Sequence, residues 1–578
     1  MLGGGASEAR KVALETGLWD AGGPARALIA PARHRGELAE ALLAVRLAPD
    51  LPLAHVALAS VRWKDAERTE ALRSLLAALL AVPRNLEATL WLASSLLVLL
   101  SIVLVLGSSA FIAMCGASVF ARAAHDLGDL ASARMPAFAR AALLASVVLL
   151  PVALGEGLLG LVIALFAIGA LYGGSRQRTA LVLAAALLGL GLFPIARLGG
   201  RALSMLSADP VAESALAVRQ GIQSDADIAL LRVSESAGDL LAAHALAAHA
   251  SQQGQFEDAL VRYQALAEQL PSEPVIATNL ANLHFRRGAV DEAVAHYQIA
   301  STLLESPVLW FNLSQAYARS FRMEQFETAL IRAQQLGNEI VGELSLVGDS
   351  GFVADLPLPI GTIRSRMLAA SQGAGFARTL RAPLAPGRLG RDWRLLSALL
   401  LLLLAGSVAL ARRFEPASSC SRCGARVCVR CDGTVWDRQT CDNCHRLFHH
   451  SKSTDPSLRA ARLEQLRRRD ARVERAAQLG SFAVPGLGGV LAGRPDLGFL
   501  ALLCFGWAVA GVSLRSGVVP DPLVLGAAGP LVLVSTSIIA AFAYAALVVA
   551  SIVIRRSQEW APRCTEIFRT LASPRCSS

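Results

Sequence analysis

The chain alternates between long apolar runs and polar stretches in which apolar residues recur at helical spacing. A helix that crosses a bilayer needs ~20 apolar residues. The apolar runs predict spans at residues 90–114, 140–154, 158–172, 179–196, 395–411, 497–514 and 531–554. Gly155, Glu156 and Gly157 separate the second run from the third, so these two short runs form either two thin spans or one re-entrant hairpin. The pattern predicts a mostly α-helical, multi-span membrane protein.

Arginine positions predict how the chain is oriented in the membrane. Arginines lie beside the spans at Arg122, Arg134, Arg176, Arg178, Arg412, Arg413, Arg555 and Arg556. Because basic loops stay in the cytoplasm, residues 200–392 are expected outside, together with the segment before the first span. That segment has no secretory signal. Either a mis-assigned start codon has cut off a signal peptide, or the first apolar run does not cross the membrane.

Composition narrows the class of protein. Hydrophobic residues make up 54% of the chain and charged residues 17%, which is too apolar for a soluble array of helices. Arginine far outnumbers lysine, which occurs only at Lys11, Lys64 and Lys452. Together with the abundance of alanine, leucine and glycine, this indicates a GC-rich bacterial genome. No Ser/His/Asp order, phosphate loop or paired-carboxylate motif appears, so an enzyme is not expected, and a small-molecule substrate stays unknown.

A repeat of 33–34 residues dominates positions 240–336. The pairs separated by 34 residues are Gly254 and Gly288, Ala259 and Ala293, and Tyr263 and Tyr297. The hexapeptide QFEDAL at 255–260 returns as QFETAL at 325–330. A weaker echo places Pro49 and Pro83 at the same distance, just before the first span. Such periods are typical of stacked helix pairs that share one core.

These positions, with Trp310, Leu313 and Tyr317, resemble the tetratricopeptide-repeat family. The resemblance implies that the helix pairs bind protein partners on a concave face. In members that clamp peptides, an asparagine six places into the first helix faces this groove, and Asn279 and Asn312 match that place. Arg286 and Arg287 resemble the basic pair at the end of the helix. Peptide binding by the two asparagines is thus implied, and ordinary consensus helix residues are the alternative.

Six of the ten cysteines form three Cys-x-x-Cys pairs directly after the fifth apolar run: Cys420 and Cys423, Cys428 and Cys431, and Cys441 and Cys444. Thiolates two residues apart on a tight turn supply half of a tetrahedral zinc site. Gly424 permits such a turn after the first pair. All six cysteines are therefore predicted metal ligands, with zinc as the cofactor.

Other chemistry stays open at these cysteines. The third pair with His445 also has the pattern of a c-type haem attachment site, which would require the outer side of the membrane. An iron–sulfur cluster or a redox-active dithiol is a further alternative.

The spacing of the pairs over residues 420–448 resembles the treble-clef core of FYVE-type zinc fingers. That resemblance implies that Cys420, Cys423, Cys441 and Cys444 share one zinc ion. The pair Cys428 and Cys431 would then need an upstream pair that this chain lacks. Either one of His445, His449 and His450 completes a second site, or the pair stays a reduced dithiol. The basic lipid-binding motif of that family is missing, so phosphoinositide binding is not implied.

Two further segments follow the cysteines. Residues 451–475 carry eight basic and four acidic residues, which predicts a basic amphipathic helix on the anionic inner leaflet or a plain linker. Nucleic acid is not an expected partner, because no aromatic residues are interleaved. Pro485, Gly486, Gly489 and Gly498 resemble the opening of small two-span membrane domains, where glycine allows a tight turn and close helix packing.

These patterns divide the chain into predicted segments: 1–88, helical and tetratricopeptide-like; 89–200, the first membrane domain; 205–340, the repeats; 341–392, a linker; 393–413, a single span; 414–450, the zinc module; 451–480, the basic helix; 481–556, a two-span hairpin; and 557–578, a tail. The expected function is a bacterial inner-membrane scaffold or assembly factor. It binds protein partners through the repeats and lies in the lipid bilayer with its zinc module in the cytoplasm. A membrane-bound redox or c-type haem protein is the alternative. A transporter core is disfavoured by the few charges within the spans.

Overall fold

A computed structural model describes residues 3–131, 135–205, 207–347, 351–371, 393–420, 423–428, 440–449, 455–491, 493–521 and 523–571. The chain is mostly helical and divides into two units. The first unit comprises Met1–Ser94, Arg201–Gln372 and Ser516–Leu531. The second comprises Ser95–Gly200, Gly373–Arg515 and Val532–Ser578.

Helices account for nearly all of the regular structure in these residues. In chain order they begin with α1 (Gly3–Glu15), α2 (Gly22–Arg35), α3 (Leu38–Leu47), α4 (Pro52–Lys64), α5 (Arg68–Ala81), α6 (Leu86–Ala131), α7 (Ala137–Pro151), α8 (Gly157–Tyr172), α9 (Ser175–Ala186) and α10 (Leu192–Met205). They continue with α11 (Pro210–Gln220), α12 (Asp225–Ser236), α13 (Leu240–Gln252), α14 (Phe256–Gln269), α15 (Pro274–Arg287), α16 (Val290–Leu303), α17 (Pro307–Arg319), α18 (Met323–Val347) and α19 (Ile360–Ala370). The last group is α20 (Trp393–Phe414), α21 (Asp442–His449), α22 (Pro456–Ala483), α23 (Leu487–Leu491), α24 (Pro495–Ser513) and α25 (Ala528–Leu571). Two short strands, β1 (Ser418–Ser419) and β2 (Arg426–Val427), pair in antiparallel orientation.

Local signals explain where many helices of the first unit begin and end. Helices α4, α11, α15 and α17 start with proline, whose missing N–H is not needed in the first turn. Asp209 caps α11 and Asp239 caps α13, each by accepting hydrogen bonds from the first backbone N–H groups. Gly288 ends α15 with a φ of 88°, in the left-handed region that favours glycine.

Helices α13 to α18 pack as consecutive pairs, α13 with α14, α15 with α16 and α17 with α18. Residues that recur 34 positions apart lie inside these pairs, since Ala259, Ala293, Tyr263 and Tyr297 are all buried. The alanines let neighbouring helices approach closely, and the tyrosine rings fill the space beside them. The sequence periodicity therefore coincides with the packing of these helices.

The segment 341–392, predicted as a linker, is packed into the first unit over its described residues. Leu358 is buried, and Arg366 of α19 forms ion pairs with Asp209 and Asp239, each at 2.6 Å. The hydrogen bond from Arg366 lowers the pKa of Asp239. These contacts join α19 to the caps of α11 and α13, so this part of the chain belongs to the folded unit.

Stretches of sequence that apolar helices separate come together in the first unit. Arg10 in α1 pairs with Glu343 in α18 at 2.8 Å. The backbone N–H of Leu53 donates to the carbonyl of Val524 at 2.8 Å. The N-terminal stretch therefore contacts both of the other stretches of this unit.

Among the described residues, five helical segments are long and apolar enough to cross a membrane: Leu86–Ala131, Ala137–Tyr172, Ser175–Met205, Pro495–Ser513 and Ala528–Ile554. Leu395–Leu410, within α20, is apolar but shorter. Large apolar side chains on these helices lack a protein cover, because Leu402, Ile539 and Phe542 are 70%, 67% and 73% exposed. Such a surface calls for lipid or another apolar partner around it. The predicted mostly helical fold is confirmed, and its helices are compatible with a membrane protein.

The segment Ala137–Tyr172 is bent into a hairpin. Gly155 and Gly157 have φ values of 88° and 63°, which reverse the chain between α7 and α8. Leu144 and Val148 of α7 then pack against α8. Helix α7 has 15 residues and continues into a π-helical turn over Val152–Glu156, and α8 has 16 residues.

Glycine allows α23 to lie directly on α24. A Cβ atom on Gly489 would lie 2.4 Å from the backbone nitrogen of Gly498, and one on Gly486 would lie 2.4 Å from the carbonyl oxygen of Gly498. These are backbone atoms, which cannot rotate away as a flexible side chain can. The close packing expected from the glycine motif is therefore present in the structure.

Replacing Gly489 with alanine should destabilise the second unit, because its methyl group would push α23 away from α24. We expect a loss of ~1–3 kcal/mol, measured as a lower thermal midpoint of the detergent-solubilised protein. Gly506→Ala is the matched control in α24, since its added Cβ would lie in ordinary contact with the two methyl groups of Val103, at 3.5 and 4.0 Å. Equal midpoints for the two variants would contradict this account.

Candidate functional site

The first cysteine pair lies on the turn between β1 and β2. The N–H of Cys420 donates to the carbonyl of Ala425 at 2.8 Å, and the N–H of Gly424 donates back to the carbonyl of Cys420 at 2.8 Å. Gly424 has a φ of 62°, as expected for the tight turn. The N–H of Ala425 points to the sulfur of Cys423 at 3.4 Å. The turn thus presents both sulfur atoms on one side.

Helix α21 brings the third cysteine pair to the same place. Cys441 directly precedes this helix, and Cys444 lies in its first turn. The sulfur atoms of Cys420, Cys423, Cys441 and Cys444 all lie within 4.8 Å of one another, and those of Cys423 and Cys441 are 3.5 Å apart. Zinc–sulfur bonds of ~2.3 Å place tetrahedral ligands about 3.8 Å apart. These four cysteines therefore lie close enough together to bind one metal ion.

The environment of the cluster favours a bound cation. Cys420, Cys423 and Cys444 are buried, and Leu466 of the basic helix α22 packs against them. Burial raises the pKa of the Cys441 and Cys444 thiols, and the adjacent thiol of Cys423 raises both further. For Cys441 and Cys444 the neutral thiol is therefore favoured until a bound cation takes up the charge of the thiolates.

The remaining predicted ligands are distributed differently. Cys428 is buried but does not belong to the four-cysteine cluster. Its sulfur instead lies within 4.8 Å of ligand atoms of His125, Asp126 and Asp129. Cys431 lies outside the described residues. No sequence pattern connects Cys428 with α6, because the two are far apart in the chain.

Asn279 and Asn312 contact backbone of the chain itself, at residues 351–359, which we call the strap. The amide of Asn279 donates to the carbonyl of Leu356 at 2.8 Å, and its oxygen accepts from the N–H of Leu356 at 2.8 Å. Asn312 makes the same two bonds to Ala354, at 2.7 and 3.0 Å. Each asparagine therefore binds both backbone groups of one strap residue. Binding of a partner's backbone by these residues stays a prediction.

Asp355 anchors the strap by its side chain. This carboxylate is 2% exposed and accepts hydrogen bonds from Ser251 at 2.8 Å and Asn282 at 2.7 Å. It also pairs with Arg286 at 3.0 Å. A buried carboxylate is stable only when it is paired and hydrogen-bonded. The helix pairs thus provide a built pocket for one acidic side chain.

N-terminal residues cover the opposite side of the strap. The N–H of Asp355 donates to the carbonyl of Leu14 at 3.1 Å, and the indole of Trp19 donates to the carbonyl of Asp355 at 2.8 Å. Leu14, Phe352 and Leu356 are buried in one apolar cluster. The strap therefore lies between the helix pairs and the N-terminal segment.

We call the surface of the helix pairs that holds the strap the groove. Sequence reasoning missed three residues at this groove: Asn282, Ser251 and Asp355. Asn282 follows Asn279 by three positions in α15, and this helical spacing was a usable signal. Asp355 is the one acidic residue in the sequence GFVADLPLP, which was a weaker signal. Nothing in the sequence distinguishes Ser251 from other helical serines.

No protein-family model matches this chain, and a comparison with curated proteins finds no similar sequence. The four-cysteine cluster and the groove are therefore interpreted from their own geometry and chemistry.

Replacing Cys441 with serine should remove the metal bound at the cluster, because three sulfur ligands do not complete a structural site. Elemental analysis of the full-length protein in detergent should find less metal in this variant than in the wild type. Cys504→Ser is the control, since Cys504 is a free, half-buried cysteine outside the cluster. A wild-type protein without metal would refute the assignment, and a Soret band would favour haem.

Proposed function

We propose that this protein is a membrane-anchored scaffold that binds an extended segment of a protein partner in the groove between its helix pairs. The observation that carries the proposal is the pair of asparagines, each of which binds the N–H and the carbonyl of one residue in an extended chain. This grip recognises backbone, so it suits any extended segment. The tetratricopeptide-like periodicity of the helix pairs agrees with this role.

The strap indicates which partner sequence the groove prefers. Ala354 and Leu356 lie at the asparagines, and Asp355 between them enters the pocket of Arg286. A partner segment should therefore carry an acidic residue flanked by a small residue and an aliphatic one. In this proposal the strap fills the groove until a partner replaces it, so the free protein is self-inhibited.

For the cysteine cluster we propose structural zinc. Four sulfur atoms at tetrahedral separation match zinc better than haem, because haem attachment would consume the sulfurs of Cys441 and Cys444 as thioethers. These two sulfurs lie beside those of Cys420 and Cys423. If Cys441 and Cys444 formed thioethers with haem, Cys420 and Cys423 would have no role as ligands. The zinc ion would act as a brace for the cytoplasmic module.

The proposed location is a bacterial inner membrane, with the helix pairs outside and the cysteine module in the cytoplasm. The three stretches of the first unit contact one another, and groups that are in contact lie on the same side of a bilayer. These contacts therefore support placing all three stretches on one side of the membrane. In this arrangement the hairpin Ala137–Tyr172 returns to the side on which it begins. The remaining apolar helices then cross the bilayer in alternating directions. The basic residues near 176 and 413 then lie inside, as the positive-inside rule requires.

Asp355→Ala should open the groove to a peptide added in trans. Loss of this buried, charge-paired group should weaken the binding of the strap to the groove by ~1.5–3 kcal/mol. This corresponds to a factor of about ten or more in the competition between the strap and an added peptide. We expect a fluorescent GFVADLPLP peptide to bind the variant at least roughly tenfold more tightly than the wild type, as measured by anisotropy with the full-length protein in detergent.

Two controls accompany this experiment. Asp291→Ala removes an exposed carboxylate paired with Arg322 at 2.7 Å and should leave peptide binding unchanged. A peptide with alanine in place of its aspartate should bind less well. If Asp355→Ala keeps its helical circular dichroism and still binds no peptide, the strap is a permanent part of the fold and the proposed function fails.

Sidedness can be tested by thiol labelling of intact cells. Cysteines introduced at Ser236 and Ser457, both exposed, should differ in their reaction with a membrane-impermeant maleimide. We expect labelling at position 236 and none at position 457 until the cells are lysed. The opposite pattern would invert the proposed topology.

A further inference from the structure

Cys428, which lies outside the four-cysteine cluster, points to a second metal site. We propose that His125, Asp126, Asp129 and Cys428 bind a divalent transition-metal ion, with Zn²⁺ the best match. One ligand atom from each of these residues lies within 4.8 Å of the others. A thiolate, an imidazole and carboxylates are the ligand types that Zn²⁺ accepts in proteins. The site would hold the cysteine module on α6.

Two elements of the second unit supply the ligands. His125 and Asp129 lie one turn apart near the end of α6 and so share a face of the helix, with Asp126 beside them. Cys428 directly follows β2, so the hairpin that carries the first cysteine pair also carries this sulfur to α6. The N–H of Ala417, just before β1, donates to Oδ2 of Asp126 at 2.9 Å. The hairpin and α6 therefore already meet at the proposed site.

Burial and charge favour a cation here. His125, Asp126 and Cys428 are 6%, 0% and 6% exposed, and buried charges need opposite charges close by. Arg140 supplies one positive charge and pairs with Asp129 at 2.9 Å. The carboxylates of Asp126 and Asp129 and the sulfur of Cys428 are groups whose negative charge a divalent cation stabilises in a buried site.

Other contacts would orient the ligands behind the ion. When Nδ1 of His125 carries a proton, it donates to Oδ2 of Asp129 at 2.8 Å; when it does not, it accepts from a guanidinium nitrogen of Arg140 at 3.2 Å. The hydroxyl of Tyr172 donates to Oδ2 of Asp126 at 3.0 Å. Hydrogen bonds of this kind fix the orientation of ligands in known metal sites. The rival explanation is a network of ion pairs and hydrogen bonds around Arg140 that is complete without metal.

The test counts the metal ions in the full-length protein, purified in detergent and equilibrated with Zn²⁺. The wild type should hold two ions per chain. Cys428→Ser and His125→Gln should each hold one, because each removes a ligand of the second site alone. Cys441→Ser should lose the ion of the four-cysteine cluster and keep this one. Cys504→Ser should keep both.

Cobalt substitution identifies which ion is lost. A four-cysteine Co²⁺ site absorbs strongly through thiolate charge transfer, whereas a site with one thiolate absorbs weakly. Cys428→Ser should therefore lose one Co²⁺ with little loss of this absorption, while Cys441→Ser should lose most of it. Circular dichroism controls for folding. If Cys428→Ser fails to fold, Asp129→Asn, at the more exposed edge of the site, replaces it as the variant that lacks a ligand of the second site. A wild type with one ion, or variants that all keep two, would overturn the proposal.

Discussion

An extended backbone buried outside a sheet must find a partner for each of its N–H and carbonyl groups, and this constraint organises the first unit. Successive residues of an extended chain direct these groups to opposite sides. At Ala354 and Leu356 they meet asparagine amides from the helix pairs, and at Asp355 they meet Leu14 and Trp19. The strap therefore joins the helix pairs and the N-terminal segment, and removing the donors on either side would leave buried backbone groups without partners. Pro357, which has no N–H, follows where this pattern ends.

The cysteine module of the second unit depends on different chemistry. Its described strands have two residues each and α21 has eight. Among the described residues of the module, the buried cluster consists of cysteines with Val427 and Leu466. Elements this small do not bury enough apolar surface to fold alone. A metal ion that crosslinked the four sulfurs would supply that missing free energy. In such a module a metal would stabilise the fold first, and any further role would come through the surfaces that it holds in place.

Features with a regular spacing were accessible from the sequence. The apolar runs, the 34-residue period and the tight turn at Gly424 all correspond to elements of the structure, because each follows from local geometry. The apolar runs on either side of residues 155–157 predict two thin spans or one re-entrant hairpin, and the positive φ values of Gly155 and Gly157 show the reversal that both alternatives require. The sequence predicts a linker where the strap lies, since the strap's partners Asn279 and Asn282 lie more than 70 residues earlier and no period connects them. The approach of Cys428 to His125 was inaccessible for the same reason.

The way the strap is bound has a consequence for how its sequence can change during evolution. The hydrogen bonds from Asn279 and Asn312 to the strap involve only its backbone atoms, so these two asparagines do not themselves select the side chains at positions 354 and 356. Asp355 alone is recognised through its side chain, by Ser251, Asn282 and Arg286. In related chains the buried positions of the strap should therefore vary only among apolar residues of similar size, around a fixed acidic residue. A change of that acidic residue should be accompanied by a change of the arginine.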